Sequence, residues 1–153
     1  DIQIVIIGDG PARSKLERIL PNARFVGYQS GENLARYYAS LDIFVHTGKH
    51  ETFCQSIQEA LASGVPVIAP NFGGPTDLVK HGWNGYLIDT TDSRALRNSV
   101  DMIVKDPDKL LMRQHARQSV IGRTWDLVNR QLVNHYYQLI TESSVKIESE
   151  KVA

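Results

Sequence analysis

Two glutamates, Glu51 and Glu59, stand eight positions apart around the start of a helix-forming stretch. The stretch runs His50-Glu51-Thr52-Phe53-Cys54-Gln55-Ser56-Ile57-Gln58-Glu59-Ala60-Leu61-Ala62-Ser63-Gly64. Its pattern predicts a helix over 53–63, with Gly64 as the left-handed stop and Pro66 barring continuation. At about 1.5 Å of rise per residue, eight helical positions span roughly 12 Å. Two carboxylates that far apart do not share a proton or flank one glycosidic bond, where about 5–10 Å is expected. They suit the two ends of a long ligand. Between them the first amides of the helix, at Phe53, Cys54 and Gln55, form a place for a diphosphate. The order acid, anion hole, acid matches hydroxyls, diphosphate, hydroxyls, because carboxylates accept from paired hydroxyls. The plain alternative stays open: Glu51 favours the helix dipole, and Glu59 is a solvated helix residue.

Other residues with chemical potential carry weaker patterns. Gly8-Asp9-Gly10-Pro11 ends a strand and opens a helix, as a dinucleotide-binding turn does. The third glycine of that fingerprint is absent, because Arg13 stands there, and Pro11 removes an amide. A tight strand–helix turn is the favoured reading, with an NAD-binding oxidoreductase or epimerase domain as the alternative. Cys54 at a helix start could be an activated thiol, but no His-plus-Asn/Asp arrangement accompanies it. His46 and His50 flank the Glu51 loop and are candidate donor contacts, and Lys49 is a candidate phosphate neighbour. His81, His115 and His135 lack metal-ligand spacing. Trp125 reads as a core anchor of the last helix.

The elements that position these residues follow from periodicity. Ile4–Ile7 reads as a buried parallel strand, followed by a helix opened by Pro11 and carrying Leu16, Ile19 and Leu20. Arg24–Gly27, Ile43–Val45, Val67–Ala69 and Tyr86–Ile88 are further strands. Gly31–Ser40 and Asp77–Lys80 are further helices. Beyond residue 90 the chain is helical only: Leu96, Val100, Ile103 and Val104 mark one face, Leu110, Leu111 and Val120 a second helix. Trp125, Val128, Leu132, Tyr136 and Leu139 mark a third. From Thr141 the sequence is polar and reads as a frayed tail, giving a domain over 1–140 and a tail over 141–153. Strands alternating with helices imply an α/β, Rossmann-like open parallel sheet with helices on both faces. Such a sheet binds ligands beyond the carboxyl ends of its strands.

Composition sets the outer limits. The 153 residues fit one domain. Lys plus Arg and Asp plus Glu are 17 each, so net charge gives no case for nucleic acid. The single cysteine forms no internal disulfide, and a reducing, cytoplasmic setting is the simplest reading. No apolar run approaches the ~20 residues of a membrane span. The opening Asp1-Ile2-Gln3-Ile4 lacks the basic start of a signal peptide. It reads as the beginning of a strand, and something upstream is expected.

The acid-x7-acid pattern of Glu51 and Glu59 is followed by Ala60-Leu61-Ala62-Ser63-Gly64-Val65-Pro66-Val67-Ile68-Ala69, then by Gly73-Gly74-Pro75 and Asn84-Gly85. In this order and spacing, and with Gly8-Asp9-Gly10-Pro11, the chain from about Ile4 to about Tyr137 resembles the family 4 retaining glycosyltransferases of GT-B fold. Glu51-Thr52-Phe53-Cys54-Gln55 with Gly73-Gly74-Pro75 is most similar to the GDP-mannose-dependent α-mannosyltransferases. The resemblance implies the donor-nucleotide-binding half of a two-domain enzyme, lacking its first βα unit. Glu51 would face the donor sugar as the catalytic position. Thr52, Phe53, Cys54, Gln55 and Ser56 would hold sugar and phosphate oxygens, mainly through backbone amides. Glu59 would bind the ribose, and Val26, Gly27 and Tyr28 would lie near the base. Many relatives have Gly where this chain has Thr52 and Cys54, which narrows the site.

The resemblance further implies no metal or other cofactor and a nucleotide diphosphate sugar as substrate. The acceptor-binding domain and the phosphate-clamping Arg and Lys would lie outside this chain. Any peripheral membrane association would come through that missing domain, and the last helix would pack toward it. The fragment alone is expected to bind donor weakly and not to catalyse. A non-catalytic module of the same fold is the remaining alternative.

Overall fold

The computed structural model describes residues 2–48 and 51–151. Five short strands alternate with helices: β1 (Val5–Ile7), α1 (Arg13–Ile19), β2 (Arg24–Gly27), α2 (Gly31–Ser40), β3 (Phe44–Val45), α3 (Gln55–Ala62), β4 (Val67–Pro70), α4 (Pro75–Leu78) and β5 (Gly85–Ile88). Three helices follow: α5 (Ser93–Lys105), α6 (Lys109–Val120) and α7 (Trp125–Lys151). All strand pairings are parallel, as the βα alternation requires.

The parallel strands form two ladders, β1–β2 and β3–β4–β5, within the α/β architecture expected.

β4 is the structural centre. Val67, Ile68, Ala69 and Pro70 are all buried. Its side chains alternate between two cores, as a strand's period of two dictates. Val67 and Ala69 join Ile57, Ala60, Leu61, Val65 and Tyr38 on one face. Ile68 joins Tyr86, Ile88, Ile103 and Met112 on the other. Helices therefore cover both faces of the β3–β4–β5 sheet.

α3 is fixed at both ends. Ile57, Ala60 and Leu61 are fully buried, at helical spacing. Gly64 takes φ 69°, and the amides of Gly64 and Val65 close on the carbonyls of Leu61 and Ala60. That left-handed turn carries the chain directly into β4. At the start of β5, a β-carbon on Gly85 would lie 2.0 Å from the Val67 carbonyl oxygen. Only glycine allows the two strands to meet there. Buried Asn84 accepts from the Lys80 amide at 2.8 Å and donates to the Leu78 carbonyl at 3.0 Å. The Asn84-Gly85 pair thus has a structural task.

Several sequence expectations are corrected. α3 begins at Gln55, two residues after Phe53, because Cys54 adopts a left-handed conformation and cannot be helical. α4 occupies Pro75–Leu78, ahead of the expected Asp77–Lys80, because Pro75 suits a first helical position. β1 is half-buried, not buried, and Ile19 is exposed. In α6 the buried residues are Met112, Ala116 and Val120, while Leu110 and Leu111 face outward. Trp125 is 69 % exposed and anchors no core. α7 continues through Thr141 to Lys151. Along α7, Val128, Leu132, Tyr136 and Leu139 are all exposed apolar residues.

Candidate functional site

The candidate site is built on the connection from β3 to α3, beyond the carboxyl end of a parallel strand. Loop 70–75, after β4, lies directly beneath it. The Gly74 amide donates to the Glu51 carbonyl at 3.0 Å. A β-carbon on Gly74 would lie 2.5 Å from the Thr52 carbonyl oxygen, and one on Gly73 3.0 Å from that of Glu51. Gly73-Gly74 is therefore the floor on which Glu51-Thr52 rests. This contact explains why the two motifs occur together in the sequence.

Among the described residues Cys54 is the sole non-glycine residue with positive φ, at φ 56° and ψ 59°. A left-handed residue followed by helical ones turns successive amides toward one point, a concavity suited to anions. Among the described residues the amides of Phe53, Cys54, Gln55 and Ser56 donate to no protein group. The Ile57 amide is already taken by the Cys54 carbonyl at 3.0 Å. Of these four residues only Gln55 and Ser56 belong to the helix. The Cys54 side chain is buried at 3 % exposure. Burial, and then the charge of Glu51, push its thiol pKa up. A thiol so placed is a packing group, not an activated nucleophile.

The two carboxylates flank these amides. Glu51 precedes them, with its side chain 44 % exposed. Its Oε1 lies 3.9 Å from His46 Nε2, a buried ring nitrogen without a hydrogen-bond partner. Glu59 lies on the second turn of α3 and accepts from Gln55 Nε2 at 3.3 Å. The Gln55 side chain is therefore turned along the helix, while its backbone amide stays free. Thr52, Phe53 and Gln55 are exposed, so the site is an open shelf. A cavity of about 460 Å³ elsewhere, lined by Ser63, Gly64, Arg113 and Arg117 among others, includes none of the candidate residues. Lys49 and His50 lie outside the described residues.

Two other sequence candidates resolve differently. Asp9 accepts from the Gly10 amide at 2.8 Å and from Arg13 Nη1 at 3.0 Å. A carboxylate of the chain itself thus occupies the turn at the start of α1. Val26 and Gly27 close β2, and Tyr28 beyond them is 77 % exposed. The ring interactions of His115 and Trp83, stacked at 4.6 Å, hold the β5 turn against α6. Sequence reasoning missed Tyr38. It is buried on α2, with its ring edge-on to Phe44 at 5.5 Å. Burial first, and then the neighbouring Glu59 carboxylate, push its phenol pKa up to about 12.

An α/β domain whose α3 start carries free amides between Glu51 and Glu59 has the arrangement that the resemblance to GT-B transferases leads one to expect. Residues 1–120 match the family of glycosyl transferases group 1, and the chain belongs to that family. It is 47 % identical over 144 residues to a GDP-mannose-dependent alpha-mannosyltransferase of Corynebacterium glutamicum, covering 94 % of this chain and 35 % of that protein. A GDP-mannose-dependent alpha-mannosyltransferase of Mycolicibacterium smegmatis is 46 % identical, covering 95 % of this chain and 39 % of that one. The chain therefore spans little more than a third of the length of these relatives. Among solved structures, sucrose-phosphate synthase of Thermosynechococcus elongatus superposes with TM-score 0.78 at 28 % identity, covering 92 % of this chain and 38 % of that one. Alr3699/HepE of Anabaena, in complex with UDP, gives 0.78 at 24 % identity and shares the fold, covering 90 % and 41 %. Among the described residues no helix is long and apolar enough to cross a membrane.

Proposed function

We propose that this chain is the donor-binding part of a retaining glycosyltransferase. The full protein would move a hexosyl group, mannosyl by its relatives' names, from a nucleoside diphosphate to an acceptor hydroxyl. One observation carries the reading: among the described residues the consecutive amides of Phe53 to Ser56, which lie between two carboxylates at the start of α3, donate to no protein group. Fixed backbone dipoles aimed at one point stabilise a phosphate whose charge grows as the anomeric C–O bond breaks. In this reading Glu51 holds the sugar hydroxyls and Glu59 the ribose. His46, Lys49 and His50 border the sugar end, and Val26, Gly27 and Tyr28 border the base. The departing diphosphate is held by amides and by cations outside this chain, without a metal ion. The acceptor binds a domain outside this chain, and that domain covers the exposed apolar side of α7. Any association with a membrane surface belongs to that domain as well.

The test is made in the full-length protein. Glu51→Gln keeps size and removes charge. It is expected to cut turnover of GDP-mannose strongly with little change in folding. Near-normal turnover would end the assignment. Glu59→Ala is expected to weaken donor binding and to leave turnover of bound donor less affected. An unchanged donor affinity would remove the ribose role.

A further inference from the structure

His46 stands at the carboxyl end of β3, where the chain leaves the sheet for the Glu51 loop. Its backbone is still tied to the sheet, because its amide donates to the Ile68 carbonyl of β4 at 2.9 Å. The side chain is 14 % exposed, and Nε2 is buried without a hydrogen-bond partner. A buried polar atom left in that state costs free energy. The acid in front of it is Glu51, whose Oε1 lies 3.9 Å away on a side chain that is 44 % exposed. Gly48 makes this approach possible. A β-carbon there would lie 2.9 Å from His46 Nε2, 3.3 Å from Cε1 and 3.5 Å from Glu51 Cγ. A side chain at position 48 would therefore push against both the ring and the stem of the acid.

We propose that His46 is a positioning residue, whose Nε2–H holds the Glu51 carboxylate in place for the hydroxyls of the donor sugar. The proposal rests on the reading of Glu51 as the sugar contact. The ring is anchored by the sheet and the carboxylate is more exposed, so closure is a motion of Glu51. A side-chain rotation that carries Oε1 by about 1 Å brings the pair to about 2.7–2.9 Å, the length of a charge-assisted hydrogen bond. The buried nitrogen offers a sugar no open face, and its effect therefore passes through Glu51. An ionised carboxylate has about four lone-pair sites. His46 takes one on the inner side, and the exposed side keeps the others for hydroxyls. A carboxylate fixed in this way loses less freedom when the sugar arrives and holds it in a reactive orientation.

The experiment is made in the full-length protein. His46→Phe keeps a flat ring and removes the donor, whereas His46→Gln keeps an N–H at similar reach. Turnover of GDP-mannose, affinity for GDP, which carries no sugar, and the midpoint of urea unfolding are measured for each. His46→Phe is expected to lower kcat about ten- to hundredfold, the worth of a hydrogen bond to a charged group. Its GDP affinity and urea midpoint are expected to stay at wild-type values, and His46→Gln is expected to recover part of the lost kcat. Unchanged kcat in His46→Phe would overturn the proposal. Equal losses of kcat and GDP affinity with a lowered urea midpoint would also overturn it, because a ring that only packs the loop would disturb the Phe53–Ser56 amides as well. Glu51→Gln, measured alongside, separates the two levels of the reading. If that variant turns over normally, the sugar role of Glu51 fails and the proposal falls with it. If it is impaired while His46→Phe is normal, the proposal alone fails.

Discussion

Gly74 offers the sharpest perturbation of the site. Its backbone is helical, at φ −50° and ψ −34°, so alanine can adopt the conformation without strain. The added β-carbon would nevertheless lie 2.5 Å from the Thr52 oxygen, 2.7 Å from its carbon and 3.1 Å from the Phe53 nitrogen. All three are backbone atoms and cannot rotate away. Separation of the two loops also strains the Gly74–Glu51 hydrogen bond. Overpacking costs about 1–3 kcal/mol, and a weakened hydrogen bond adds roughly 1. Restricting the unfolded chain returns about 0.4–1 kcal/mol. Gly74→Ala should therefore destabilise the chain by about 1–3 kcal/mol, read from the midpoint of urea unfolding. Gly10→Ala is the control, because its β-carbon would meet nothing within 4 Å. Equal stability of the two variants would refute the account of Gly73-Gly74 as the floor of the Glu51 loop.

Ile57 is fully buried beneath the proposed anion site. Ile57→Ala should cost about 2–5 kcal/mol in the same urea assay, and a loss below 1 would contradict the core assignment. The Cys54 thiol, raised by burial and by Glu51, should react with a thiol reagent at neutral pH far more slowly in the folded than in the unfolded protein. Equal rates would show that it is not buried. The Tyr38 phenol is raised from 10.0 to about 12. The folded state therefore prefers the neutral phenol. This stability is fully present below pH 10 and is lost as pH rises toward 12. Tyr38→Phe should flatten that alkaline decline, measured by urea unfolding at successive pH values, and an unaltered decline would place its cause elsewhere.

The elements were legible where a local rule governs them. Gly64 and Pro66 punctuate α3 and β4 because a left-handed cap and a missing amide act within a few residues. The strands Arg24–Gly27 and Val67–Ala69 stood out as short apolar runs between turns. The start of α3 was not legible, since the positive φ of Cys54 is imposed by tertiary contacts against its own preference. Exposure of Trp125, Leu110 and Leu111 was also hidden. Periodicity marks an apolar face but does not say whether this chain supplies the surface that covers it. In the site, the acids and amides could be read from type and spacing. The contact of Gly74 with Thr52 and the placement of Tyr38 beside Glu59 join distant parts of the sequence, and no local pattern announces them.

Backbone hydrogen exchange of the full-length protein, with and without GDP-mannose, puts the whole argument to trial. If the nucleotide's phosphates sit where the chain turns from β3 into α3, the amides of Phe53, Cys54, Gln55 and Ser56 slow sharply when donor is added. Donor that slows the amides of Gly8 to Arg13 instead, and leaves those four untouched, would contradict it.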